Sequence, residues 1–202
     1  MKKLVLCFAI AGLMSFIPNT AGLTEAERNT ASKFLTETEE GVLKSIDGLS
    51  EAQLTFKPAP DKWSVEDCVK HVAASETMLW KMTEDNINAA ANPEKRTEIK
   101  WSDEDVMKNI EDRSHKVKTF APLEPQNTGF KTLADAVASF KENRGRLIDY
   151  VKTTDKDLRN HVATLQVGSF DCYQMILFIG AHSNRHMQQI NEVKADPNFP
   201  KN

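Results

Sequence analysis

The stretch DCYQMILFIGAHSNRHMQQINEVK, residues 171–194, decides the fold. It is long and free of proline, and it follows Ser169, so it predicts one unbroken helix. Its first half is apolar on every side, through Tyr173, Met175, Ile176, Leu177, Phe178 and Ile179. A helix apolar all round sits inside other helices. Its second half is polar and rich in nitrogen ligands, with His182 and His186 at i and i+4 on one face. Side chains so spaced lie about 5–6 Å apart at Cβ, and two imidazoles there can chelate one metal at nitrogen distances of about 2.0–2.1 Å.

Three further long helices precede this one in the sequence. The first reads from Leu23 to about Gly48: Thr24 with Glu27 forms a capping box, and Phe34, Leu35, Val42, Leu43, Ile46 and Leu49 recur at helical spacing. Pro58 and Pro60 make residues 50–62 a connection. The second helix starts at Ser64, with Asp67 three positions on, and carries Val65, Val69, Val72, Ala73, Leu79, Trp80 and Ile87 before fading near Ala91. The third begins at Thr132 or Leu133, with Ala136, Val137, Phe140, Leu147, Ile148 and Val151 as its apolar stripe. Residues 92–131 are a long polar connection with room for a short surface helix from Asp103 to Ser114. Residues 152–169 return the chain, with Val162, Leu165 and Val167 docking on the bundle. The architecture is all-α: a four-helix bundle with a long crossover between helices 2 and 3.

Composition agrees. Hydrophobic residues make up 40% and charged residues 27% of 202 residues, as in an ordinary soluble domain. Eight Gly and eight Pro supply few turns, which favours long helices. The net charge is -3 and the basic residues are scattered, so nucleic acid is not an expected partner. No Ser/His/Asp arrangement, phosphate-binding glycine loop or paired-carboxylate pattern is visible.

Residues 1–21 differ from the rest. Lys2 and Lys3 precede an apolar run from Leu4 to Ile17, followed by Pro18, Asn19, Thr20 and Ala21. This is the make-up of a secretory signal peptide, and the run is shorter than the ~20 residues of a spanning helix. The reading is a leader over 1–21 and one domain over 22–202, periplasmic or secreted, with no stable membrane span after cleavage. Cys7 lies inside the apolar run, which argues against a lipid-carrying cysteine. Export implies oxidising surroundings. Even so, with His71 opposite the 182–186 turn, Cys172 lies roughly 15–18 Å along its helix from the level of Cys68, beyond the ~7 Å Cα reach of a disulfide. Two buried, unbridged thiols are expected.

His71 completes the chemistry. It lies on the otherwise apolar side of the second helix, within Val69-Lys70-His71-Val72-Ala73. Alone, such a histidine is more often a hydrogen-bonded core residue. A bundle that lays this face on the fourth helix gives three imidazoles instead, with metal positions left open, the layout of a reactive site. Glu76, turned about 140° from His71 around the helix axis, is a candidate proton shuttle or, failing that, an ion-paired helix residue. Gln189, three residues after His186, is a candidate on the open side or for orienting a ligand. His115 and His161 read as solvent-facing, Trp63 and Trp80 as core anchors, and Trp101 has no evident place.

These residues also carry a resemblance. Phe56-Lys57-Pro58-Ala59-Pro60-Asp61-Lys62-Trp63-Ser64-Val65 leading to His71, and His182-Ser183-Asn184-Arg185-His186-Met187-Gln188-Gln189-Ile190, are similar to the two halves of the signature of the DinB/YfiT-like superfamily of bacterial bundle proteins. The resemblance spans roughly residues 24–195. It implies helices in up-down-down-up order and a metal on His71, His182 and His186. It also implies a loose functional assignment: hydrolysis, as some members resemble hydrolases, or S-transfer or isomerisation with low-molecular-weight thiols, as in others. The export signal is unusual in that company and weakens the S-transferase reading, because cytosolic thiols are less available outside the cytoplasm. Zinc or nickel are the expected metals, although imidazole also suits copper and iron. A small molecule in the bundle-end pocket is the expected substrate, and pairing through helix faces would give a homodimer. A non-catalytic metal-binding protein and a bundle whose histidines serve only packing remain as alternatives.

Overall fold

The structure, a computed structural model, describes residues 22–201 apart from residue 117; the leader assigned to residues 1–21 lies outside the described residues. Among the described residues six α-helices follow one another: α1 (Glu25–Ile46), α2 (Glu51–Thr55), α3 (Val65–Asn88), α4 (Asp103–Glu111), α5 (Leu133–Thr153) and α6 (Cys172–Lys194). Capping boxes start α1 (Thr24/Glu27), α3 (Ser64/Asp67), α4 (Ser102/Asp105) and α5 (Thr132/Asp135), and the Asp171 carboxylate accepts from Gln174 N at the start of α6. Each box satisfies two N–H groups that a helix start otherwise leaves unpaired.

The four long helices form the bundle, with α1 and α3 each packed against both α5 and α6. Their directions follow from contacts between the helices. Tyr173 at the start of α6 donates to Glu27 O at the start of α1, and Lys194 at its end donates to Ser45 O near the end of α1, so α1 and α6 run parallel. Lys70 donates to Lys131 O and Asn143 donates to Thr77, so α3 and α5 run parallel too. Arg28 on α1 reaches Val151 O at the far end of α5, and these two are antiparallel. His71 near the start of α3 meets His182 near the middle of α6. The order is up-down-down-up. Since α3 and α5 are consecutive long helices running the same way, the chain must travel back along the whole bundle between them, about 36 Å for a helix the length of α3. The crossover makes that return.

The core has two parts. One gathers Leu35, Leu147, Val151, Phe170, Tyr173, Ile176 and Leu177; the other gathers Val42, Val65, Val69, Phe140 and Ile190. At Gly180 the helices α1 and α6 approach so closely that a Cβ would stand 2.8 Å from the Phe34 ring. That close approach lets the all-apolar half of α6 be buried.

The structure departs from the sequence reading in five places. Residues 162–171 are a β-hairpin: β1 (Val162–Leu165) pairs antiparallel with β2 (Gly168–Asp171), turning at Gln166-Val167 and at Gly168, whose φ is +143°. Val167 does not dock on the bundle but is 47% exposed at the turn. The helix in the crossover ends at Glu111 and is more than a surface helix, since it lies along α6 with Val106 buried. Residues 51–55 form the short α2. His161 is half-buried, its Nδ1 at 2.8 Å from Asn86 O. Trp101 packs edge-on against Phe170, and Trp80 meets Tyr150 in the same way. Cys68 and Cys172 are buried and unbridged; burial raises both thiols, and the Cys172 thiol is pushed up to about 12. Among the described residues no helix is long and apolar enough to cross a membrane.

Sequence reasoning also missed the staple at the end of the bundle where α6 begins. Arg159, between α5 and β1, donates to Glu27, Asp103 and Asp171, and its guanidinium lies 4.1 Å from the centre of the Tyr173 ring. One cation thereby ties together the starts of α1, α4 and α6.

A three-histidine cluster at one end of the bundle

The Ser64 cap fixes where α3 begins, and His71 falls two turns in, on the face with Val65, Cys68, Val72 and Ser75 that packs into the bundle. From α6, His182 and His186 project side by side toward it. The ring centroids lie 5.1 Å (His71–His182), 4.5 Å (His71–His186) and 4.6 Å (His182–His186) apart. One nitrogen from each ring lies within 4.8 Å of the other two. His71 and His186 are buried, and His182 is half-buried.

This donor set fits a divalent ion. Imidazole nitrogens at about 2.0–2.1 Å from a tetrahedral centre stand about 3.3–3.4 Å apart; His71 Nε2 and His182 Nε2 are 3.3 Å apart. Such ligation uses neutral imidazole. Burial lowers the pKa of all three rings, strongly for His182 and His186, where the neighbouring rings lower it further. A hydrogen bond to the Leu123 carbonyl partly opposes the shift at His71. Three neutral ligands leave the charge of a bound ion undiminished and leave coordination positions for water or substrate.

Trp63, the residue before the cap, walls the cluster. Its ring centre is 4.8 Å from that of His71 and 5.9 Å from that of His186, nearly parallel to the latter. The sequence reading of Trp63 as a core anchor is therefore incomplete, because its ring also borders the site. Phe178, one turn before His182, lies parallel to that ring at 6.5 Å.

The other two candidates are placed differently. Glu76 is buried and engaged with α5: its two oxygens accept from Arg144 Nε (2.8 Å) and Nη2 (2.7 Å). It stands in an ion pair, not as a proton shuttle beside the imidazoles. Gln189 turns back on its own helix, its Oε1 3.0 Å from His186 Nδ1. Three partners had no signal in the sequence. Leu123 acts through its backbone carbonyl, 2.8 Å from His71 Nδ1; Arg113 reaches Gln189 from the crossover; Ser75 brings its hydroxyl to 3.4 Å from His71 Nε2. His115 is exposed.

The lowered imidazole pKa values give a pH dependence with a definite sign. A histidine whose folded value lies below its unfolded value of about 6.5 takes up protons first in the unfolded chain. Its contribution to stability is present above about pH 6.5 and is lost as pH falls below it. The metal-free protein should therefore show a urea midpoint that declines between about pH 6.5 and 5. A His182→Asn/His186→Asn variant should decline less over the same range, and equal slopes for the two proteins would refute this origin.

Comparisons with known proteins bear on the family and the fold. A family model described as the DinB superfamily matches residues 35–190. The chain is 26% identical over 161 residues to the uncharacterised protein YuaE of Bacillus subtilis (strain 168), covering 74% of this chain and 88% of that one. Its fold is similar to that of YfiT from Bacillus subtilis, with a TM-score of 0.58 at 14% identity, over 86% of this chain and 89% of that one. YfiT is described as a probable metal-dependent hydrolase with an unusual four-helix bundle topology.

Proposed function

This chain belongs to the DinB superfamily, and on that footing we propose that it is a metal-dependent hydrolase of a small molecule, holding one divalent ion, zinc or nickel, through His71, His182 and His186. The convergence of three neutral imidazoles from two helices carries the proposal. The hydrolase described for YfiT, a protein of the same fold, supports the choice of reaction. The ion, when bound, supplies Lewis acidity and lowers the pKa of its water from ~15.7 toward about 7. The chain's own residues present lone pairs at one point, wall them with the rings of Trp63 and Phe178, and hold the remote nitrogens of two rings by hydrogen bonds.

We further propose that the protein works in the periplasm or outside the cell, directed there by the segment from Lys2 to Ala21. Low-molecular-weight thiols are scarcer there than in the cytosol. That favours hydrolysis over thiol transfer, which remains the second reading at the same site.

The test is elemental analysis of protein purified without a histidine tag, followed by a screen of ester, amide and phosphoester substrates. About one ion per chain is expected, together with a turnover that disappears in His182→Ala while the helical circular dichroism persists. Bound metal with no hydrolysis of any class, but with transfer from a thiol donor, would move the assignment to the second reading. No metal after reloading with zinc and nickel would overturn both.

A further inference from the structure

Two of the three imidazoles have their remote nitrogen engaged, one by a backbone carbonyl and one by a side-chain amide. His71 Nδ1 lies 2.8 Å from the Leu123 carbonyl. That nitrogen therefore carries the hydrogen, and Nε2 turns its lone pair toward the cluster. His186 Nδ1 lies 3.0 Å from Gln189 Oε1. An amide can present either its oxygen or its NH2, so this contact alone does not fix the ring. Arg113 settles the matter. Its Nη1 lies 3.3 Å from the same Oε1, and a guanidinium only donates. Turned the other way, the Gln189 NH2 would meet the Arg113 N–H donor against donor. Arg113 is in turn held by Glu192, whose carboxylate accepts from Nε at 2.6 Å and Nη2 at 2.7 Å.

We propose that Gln189 and Arg113 are positioning residues of the metal centre: Arg113 orients the Gln189 amide, and that amide holds His186 as the Nδ1–H tautomer with Nε2 free to ligate. The inference rests on the three-histidine reading above and adds to it a relay of Glu192, Arg113, Gln189 and His186. Arg113 lies just beyond α4, and Leu123 lies further along the same crossover. The crossover therefore does more than connect α3 to α5, since it supplies one ring's acceptor and orients the other's. Tautomer-fixing partners of this kind are ordinarily worth about 10–100-fold in metal affinity.

The experiment measures zinc affinity by competition with a chromophoric chelator, and the visible spectrum of the cobalt(II)-loaded protein, for the parent and for Gln189→Leu, Gln189→Glu, Arg113→Met and His186→Ala. Urea unfolding of each metal-free protein confirms its fold. Gln189→Leu is expected to weaken zinc binding by about 10–100-fold and to shift the cobalt bands. Arg113→Met should weaken it by about 10-fold, the lower end of that range, because the amide keeps its place but not its orientation. Gln189→Glu, which still accepts from both donors, should retain parental binding. Parental affinity and spectrum in Gln189→Leu would overturn the inference while leaving the three-histidine site intact. So would equal loss in Gln189→Leu and Gln189→Glu, since packing and not acceptance would then be at stake. A parent that binds neither ion, like His186→Ala, would remove the site and the relay together.

Discussion

Replacing Glu76 by leucine is expected to lower the unfolding free energy by about 3–5 kcal/mol, because it leaves a buried arginine without its counter-charge. Arg144 and Glu76 are among the most enclosed charges in the protein, with side chains 0% and 1% exposed. Every N–H of the guanidinium has an acceptor. Nε and Nη2 donate to the Glu76 carboxylate. Nη1 donates to Leu35 O and Thr38 Oγ1, both at 2.8 Å, and Nη2 also reaches Ser183 Oγ at 2.7 Å. The guanidinium lies 5.0 Å from the centre of the Phe140 ring. One side chain on α5 thus binds α1, α3 and α6 at the centre of the bundle.

Breaking such a pair on one side removes a large part of the roughly 5–15 kcal/mol that holds a domain folded. Removing both charges together is a different matter, since well-packed apolar groups can replace a buried pair at little loss. The double variant Glu76→Leu/Arg144→Met should therefore recover most of the stability lost by either single variant. Urea unfolding of the four proteins measures the coupling directly. A loss below about 1 kcal/mol in Glu76→Leu, the range of exposed pairs, would contradict the burial argument. The same variants separate structure from chemistry at Glu76: metal content per folded chain should be unchanged in the double variant, because neither side chain faces the imidazoles as a ligand.

That pair also shows where sequence reading stops. The four long helices were legible because their signals are local. Thr24, Ser64 and Thr132 each stand three residues before an acid, and the apolar positions recur at helical spacing within each segment. The His182/His186 pair was legible for the same reason, since four residues along one helix fix their separation. His71 needed only the further premise that apolar faces meet. Arg144, by contrast, sits in Lys141-Glu142-Asn143-Arg144-Gly145-Arg146, a run that reads as a solvated face; its acceptor Glu76 is 68 residues away, and only the packing of α3 on α5 joins them. The β-hairpin escaped because its strands have four residues each and sit in polar surroundings, too short for a period to declare itself. Leu123 contributes a backbone carbonyl, for which no side-chain pattern exists. Arg113 lies in a connection whose path depends on the rest of the fold. Local regularity thus carried the four long helices and two-thirds of the donor set. Of the groups that orient those donors, Gln189 is local to α6, whereas Leu123 and Arg113 come from long-range packing.

The second large effect concerns the imidazoles themselves. Zinc added to the parent should raise its unfolding free energy by about 2.7 kcal/mol at a free concentration 100 times the dissociation constant, since an ion that binds only the folded chain stabilises it by mass action. The same addition should leave His71→Ala, His182→Ala and His186→Ala nearly unmoved. If loss of an orienting partner costs about 10–100-fold in affinity, loss of a ligand from a set of three must exceed about 100-fold. The variants should nonetheless remain folded without metal. His182 is half-buried, and the apolar core is assembled from the four long helices together with residues such as Val106 of α4 and Phe170 of β2. The comparison therefore does not confuse a lost site with a lost fold. Urea midpoints with and without zinc, for four proteins, decide the outcome. A zinc-induced shift that survives intact in all three variants would place the ion elsewhere, whereas a shift confined to the parent would establish that these three nitrogens act together on one ion. Partial loss on replacing His71 alone would mean that the pair on α6 binds first and that α3 closes the site, an order consistent with the 4.6 Å between the rings of His182 and His186 on one helix.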